Sequence, residues 1–341
     1  MTITPFAAGS FASRETSRMF VDMRRAAETL ELQMASGRRS ETYSGLGFDR
    51  RSSLDLRAKL SGLETYQTTI QKADFRLRAT LDGVESLEKI ASKTRSAAME
   101  PLTGLSASGV PQEQALARNN LAFAVQILNT EVDGTHLFAG RASDTAPVQN
   151  VDAIMTGLDT YLTTNGVDRT VAGDVFDAVE AFFADSANWQ AATRDNAGDP
   201  RESVIARVDD GQSVAVGARA DEEGFRRLLV GLAALSVADA SDTGMGQTGF
   251  AALSSRVAAH IATDQPQPRD IAGDLGRAQA TMAAVKDRHE TGRALLQEAL
   301  DGVENVSTEE AAVSLLNLQT RMQASFQTTA ILSRLSLVNF L

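Results

Sequence analysis

Ser307-Thr-Glu-Glu-Ala-Ala-Val-Ser-Leu-Leu-Asn-Leu-Gln-Thr-Arg-Met-Gln-Ala-Ser-Phe-Gln-Thr-Thr-Ala-Ile-Leu-Ser-Arg-Leu-Ser-Leu-Val-Asn-Phe-Leu341 is the stretch on which the fold turns. Ser307 with Glu310 three residues later is a capping box, each side chain satisfying an otherwise unpaired backbone N–H. Glu309 and Glu310 add negative charge where the helix dipole favours it. Beyond Glu310 the stretch has no Gly, Pro or Lys, and only Arg321 and Arg334 carry charge. Leu315, Leu318, Met322, Phe326, Ile331, Leu335 and Val338 follow helical spacing. Leu316, Leu332, Leu337, Phe340 and Leu341 lie off that stripe. A surface helix shows water a charged face, and this one has none to show. The spacing therefore predicts a helix that needs partners.

Seven-residue periodicity is clearest further upstream. Leu56, Leu63, Ile70, Leu77, Val84, Ala91 and Ala98 recur without a break, with Tyr66, Ala73 and Leu87 at the companion positions. Such a repeat predicts a supercoiled helix over about Ser53–Met99, about 70 Å long. Glu100-Pro101 and the Gly/Ser segment after it stop it. A first helix is expected over about Ser13–Ala35, where Phe20, Met23, Ala27, Leu30 and Met34 step by three and four. Gly37 ends it, and Met1–Phe11 reads as flexible. Arg38, Arg39, Arg50 and Arg51 read as helix-end and connector charge. A third helix is expected from Pro111, with Leu121, Val125, Leu128 and Val132 inward and Asp133-Gly134 closing it. A last long helix carries Ile271, Leu275, Ala278, Met282, Val285, His289, Gly292, Leu296, Ala299 and Val303 on one seam. It can lie antiparallel to the Leu56–Ala98 helix, and Asp301–Val306 bends the chain into the terminal helix.

The middle differs. Between Arg141 and Asp270 ten Arg face twenty Asp/Glu, and that span holds nearly all of the chain's net charge of −11. Short helices are expected at Asp152–Leu162, Asp174–Phe183, Phe225–Leu235 and Phe250–Ile261. A hairpin is expected for Ser203–Arg207 and Ser213–Val216 around Asp209-Asp210-Gly211, and a polar loop with some strand at Asn188–Pro200. The expected fold is mainly α. A long antiparallel coiled-coil bundle forms from the N- and C-terminal regions, with an inserted small α+β domain containing a β-hairpin. Its expected parts are residues 1–40 with 305–341 for assembly, 41–146 with 268–304 for the bundle, and 147–267 for the acidic insert.

Little in the chain carries chemistry. With no Cys among its 341 residues there is no thiolate ligand, disulfide or Cys nucleophile. His136, His260 and His289 are scattered over different elements, and no His pair has zinc spacing. No Gly-Lys dipeptide exists, which excludes the P-loop pattern. Ser44-Gly-Leu-Gly47 is a lone glycine pair. Asp209-Asp210-Gly211 lacks the further ligands of a calcium loop. Asn305-Val-Ser307 matches a glycosylation acceptor but is accounted for by the cap. The acidic balance disfavours nucleic acid, and no apolar run reaches the ~20 residues of a membrane span. Met1–Phe11 lacks the basic and apolar regions of a cleaved secretory signal. The expectation is a non-enzyme without cofactor or metal.

The terminal run Leu315–Leu341 resembles the C-terminal helix of the flagellin superfamily. The first helix with its Ala35-Ser-Gly-Arg-Arg39 ending and the Leu54–Leu63 stretch resemble that superfamily's N-terminal region. Gly134-Thr-His-Leu-Phe-Ala-Gly140 followed by Thr145 and Pro147 resembles the turn of its hook-associated protein 3 branch, Gly134, Phe138, Gly140 and Pro147 being the motif positions. The hairpin through Val208-Asp-Asp-Gly211 and the Ala220–Leu235 continuation resemble the same branch. The resemblance implies a flagellar structural protein at the hook–filament junction, exported without a cleaved signal. It implies an assembly interface at Phe20, Met23, Leu30, Met34, Leu315, Leu318, Met322, Phe326, Ile331, Leu332, Leu335, Val338, Phe340 and Leu341. The implied partners are copies of itself, the first hook-associated junction protein, flagellin, and an export chaperone on the C-terminal helix. The Ser40–Arg50 connector is poorer in acidic residues than the flagellin form. Flagellin itself is the alternative, and a coiled-coil scaffold or signalling protein is the alternative of another class.

Overall fold

The computed structural model describes residues 6–99, 112–189, 202–241, 243–262 and 264–338. The chain divides into two compact units, Met1–Glu64 with His289–Leu341, and Thr65–Arg288. The elements in order are α1 (Phe6–Ser36), α2 (Arg50–Met99), α3 (Gln112–Leu128), β1 (Glu131–Val132), β2 (Thr135–His136), α4 (Val151–Thr164), α5 (Ala172–Ala184), β3 (Ile205–Asp209), β4 (Gln212–Ala215), α6 (Glu223–Val237), α7 (Gly246–His260), α8 (Pro268–Glu304) and α9 (Thr308–Val338). The fold is mainly helical with small inserted hairpins. The unit boundaries fall inside α2 and α8, the two longest helices among the described residues.

In the first unit α1 and α9 run side by side and antiparallel. Phe20 stacks on Phe326 with ring centroids 4.5 Å apart, and at the other end the Val306 N–H donates to Gly37 O at 3.0 Å. Gly37 takes φ +66, which lets its own N–H close α1 on Gln33 O at 2.8 Å. The first turns of α2 and the last of α8 also pair antiparallel. Ser53 and Arg57 meet Glu304, and a Cβ added at Gly292 would lie 3.9 Å from Leu63.

The second unit holds the main core. Along α2 the residues Ile70, Ala73, Leu77, Thr80, Val84, Leu87, Ala91, Thr94 and Ala98 are buried, so the seven-residue repeat is realised as one continuous inward seam. Leu121, Val125 and Leu128 of α3 pack into the same core, as do Ile271, Leu275, Met282 and Val285 of α8. α4 to α7 complete it with Ile154, Phe182, Phe183, Phe225, Phe250 and Trp189. Asn150 caps α4 by accepting from Ala153 N–H at 2.8 Å. β3 and β4 pair antiparallel with an irregularity between Arg207 and Asp209 and Gly211 at φ +71, the bulged hairpin that Asp-Asp-Gly suits.

Several expectations are corrected. α1 begins at Phe6, so residues 6–11, read as flexible, are helical, and residues 1–5 lie outside the described residues. The inward row of α1 passes through Gln33 and leaves Met34 exposed, because a helix of 3.6 residues per turn drifts from a seven-residue spacing, and the Gln33 amide reaches Arg39 O at 2.8 Å. α3 stops at Leu128, and Val132 belongs to β1. Asp133 and Gly134, at φ +53 and +71, turn a hairpin rather than close a helix. On α8 the seam takes Leu300 and leaves Ala299 exposed. α8 continues through Asp301-Gly302 to Glu304, so the bend is confined to Asn305–Ser307. Pro101, Pro111, most of Asn188–Pro200, Phe340 and Leu341 lie outside the described residues.

Candidate assembly surface

The α1/α9 pair buries one face and leaves another in water. On α1 the residues Phe20, Met23, Ala27 and Leu30 are half-buried toward α9. On α9 Ala311 is buried, and Leu315, Leu318 and Met322 are half-buried toward α1. Met19, Val21 and Leu32 on α1, and Val313, Leu316, Phe326 and Ile331 on α9, are exposed, Leu316 by 64% and Ile331 by 58%. Two helices cannot cover an apolar surface that wraps most of the way round one of them. Leu332, Leu335 and Val338 lie in α9, but their side chains fall outside the described residues.

The base of the pair is a polar clamp that sequence reasoning missed. Arg57 donates from Nε and Nη2 to the two oxygens of Glu304 at 2.7 and 2.6 Å. The Ser53 hydroxyl donates to the same carboxylate at 2.5 Å. The Arg57 bonds, helped by Ser53, hold the Glu304 carboxyl well below its ordinary 4.5, at about 2. One residue's main chain does further work: Arg39 N–H donates to Glu304 O at 2.6 Å, while the Arg39 guanidinium pairs with Asp49 at 3.0 Å. The arginine-rich connector thus ties the end of α1 to the end of α8. Arg57 and Glu304 each lie one residue off a seam, beside Leu56 and Val303, and only the antiparallel register of the two helices brings them together.

At the start of α9 the Ser307 hydroxyl oxygen accepts from Glu310 N–H at 3.3 Å, half of a capping box, and its proton goes to Glu309 at 2.7 Å. That bond lowers the Glu309 carboxyl below its ordinary value.

In the second unit the 134–147 motif is structural. Phe138 is fully buried, edge-to-face on Phe225 with centroids 5.7 Å apart. It sits so close to Gly83 that a Cβ there would lie 2.9 Å from its ring. Gly140 takes φ +59 under Glu202 O, Pro147 is buried and Gly134 is exposed at its turn. Arg76, also missed, reaches from α2 to His136 O at 2.7 Å, Leu137 O at 3.2 Å and Thr135 Oγ1 at 3.1 Å, and burial lowers its pKa. Asn129 bridges Val148 through both main-chain groups, at 2.8 and 3.0 Å.

Burial and the neighbouring Arg227 push the His260 pKa down, against Glu180 and Glu223. Glu223 is itself engaged by Arg226 and Arg227. A groove of about 470 Å³ between α2 and α8 has Ile70 and Met282 in its lining and mixed charges, Asp74, Arg78, Lys286 and Asp287, beside them. Among the described residues no three His, Asp or Glu side chains converge for a metal ion, and no helix is long and apolar enough to cross a membrane.

No family model and no curated protein matches the chain. Among solved structures it is similar to a protein of Vibrio parahaemolyticus described as flagellar hook-associated, at 12% identity over 75% of this chain and 97% of that one, with a TM-score of 0.47. It is also similar to Bacillus cereus FlgL, at 14% identity over 74% of this chain and 98% of that one, with a TM-score of 0.43.

Proposed function

We propose that the chain is a structural subunit of the bacterial flagellum, placed outside the cell at the hook–filament junction and assembling through α1 and α9 after flagellar export without a cleaved signal. The observation that carries the proposal is the apolar surface left on the paired terminal helices, with Leu32, Leu316 and Ile331 facing water on helices from opposite ends of the sequence. A row of that kind on a nearly uncharged helix marks an interaction face. Neighbouring copies are its permanent cover, and an export chaperone on α9 is its cover before assembly. The same two stretches carry the resemblance to the flagellin superfamily. As an adaptor, the subunit meets the first hook-associated junction protein on one side and flagellin on the other. Such a role asks for surfaces and stiff helices, with no catalytic group or cofactor.

Deleting the gene tests the placement. Mutant cells are expected to release flagellin into the medium and to build no filaments. Long filaments on the mutant would overturn the junction role. Loss of the filament protein itself from both cells and medium would assign the chain to flagellin instead.

A further inference from the structure

We propose that a second surface of the first unit joins copies of this chain: a knuckle of Phe48, Arg51 and Leu54 on one copy docks on the outward face of α8 around Leu295, Glu298 and Asp301 of the next. This rests on the reading that the chain assembles with itself, and adds to it a contact away from α1 and α9.

Phe48 is fully exposed. It stands in the 3-10 segment Tyr43–Asp49, next to Gly47, whose φ of +59 and ψ of −120 turn the chain sharply there. Leu54 is also exposed, one turn into α2, and Arg50 and Arg51 between them are exposed as well. Asp49 is taken by Arg39 at 3.0 Å, so the knuckle is positive apart from Asp55. On α8 Leu296 turns inward while Leu295 is 62% exposed. Glu298 follows one turn on and Asp301 almost one further turn on, about 120° round the helix from Leu295, both exposed. Asp301 keeps its carboxylate outward, accepting from Gln297 and Asn305 at 3.0 and 3.2 Å.

The two patches are complementary in kind. One offers an aromatic ring and guanidinium groups, side chains enriched at protein interfaces. The other offers a leucine flanked by carboxylates. Opposite charge at the rim of an apolar contact sets register and raises the rate of encounter. Because the patches differ, the contact is head-to-tail, each copy offering one patch to the copy before it and the other to the copy after it.

The absence of cysteine from the sequence makes the test clean. Phe48→Cys and Leu295→Cys chains, each exposed enough to fold normally, are mixed, assembled and oxidised. A disulfide between the two variants is expected, a ladder of linked chains from the double variant, and no link within either single variant. Arg51→Glu is expected to slow assembly about tenfold at low salt, and adding Glu298→Arg to the same chain to restore it. Assembly that proceeds with no mixed link, or with links within one single variant, overturns the contact and leaves self-assembly standing. So does protection of the Phe48→Cys thiol by flagellin and not by a second copy. A native chain that stays monomeric at every concentration overturns both.

Discussion

Glu304 joins three segments, through its carboxylate on one side and its main-chain carbonyl on the other. Ser53 and Arg57 donate to its side chain, and Arg39 N–H to its carbonyl. Its folded pKa, about 2, lies below its ordinary 4.5, so its stabilisation is fully present above pH 4.5 and is lost as pH falls toward 2. Arg57 is partly exposed, which limits the pair. Glu304→Gln should therefore cost about 1–2 kcal/mol at pH 7. In thermal melts from pH 7 to 2, the variant and the native chain should converge at the acid end. A gap that persists to pH 2 would mean the carboxylate's charge is not what stabilises the joint. Leu77, with no exposed surface, is the opposite case. Leu77→Asp places a lone charge in the seam and should cost about 3–5 kcal/mol in denaturant unfolding. An unchanged midpoint would remove Leu77 from the core.

Among the elements, α9 has a structure at odds with its surroundings. Its hydrogen bonds are formed, yet among its described side chains only one narrow row is covered, against α1. A helix held by one partner opens by local unfolding far more easily than one in a packed core. Amide exchange over Thr308–Val338 should be fast in the dilute monomer and slow once copies assemble, while Ile70–Ala98 stays slow in both. Slow exchange of α9 in the monomer would show that α1 suffices, and the need for neighbours would vanish. The same contrast explains what could be read from the sequence. α2 was legible because a strict heptad has one physical solution, a buried seam. α9 was legible as a helix poor in charge because only Arg321 and Arg334 are ionised after Glu310. The ends of α1 and α3 were not legible, since Phe6–Phe11 carries no periodic signal and Asp133-Gly134 serves a hairpin turn as well as a helix stop. The one-residue drifts to Gln33 and Leu300 escaped as well, because a helix of 3.6 residues per turn drifts from a seven-residue spacing. Arg57, Arg76 and Glu304 look like ordinary helix-surface charges until the antiparallel register is known.

At the scale of the molecule, burial is unequally shared. The second unit holds a continuous core from Ile70 through Val285, with Trp189, Phe138, Phe182 and Phe225 fully enclosed. In the first unit the buried apolar residues, among those described, are Leu46, Leu60, Leu300 and Ala311. Apolar area removed from water is the main favourable term in folding, so the two units should not share one transition. Calorimetry of the monomer should show a small early melt followed by a larger one. Brief proteolysis between the two temperatures should cut in α1 and α9 while sparing the second unit. The proposed assembly would bind the first unit in its folded form, so by mass action it should raise the early melt and leave the later one nearly in place. A single transition that moves as a whole on assembly would mean the long helices α2 and α8 couple the units into one cooperative body. The terminal helices would then be ordered before any neighbour arrives.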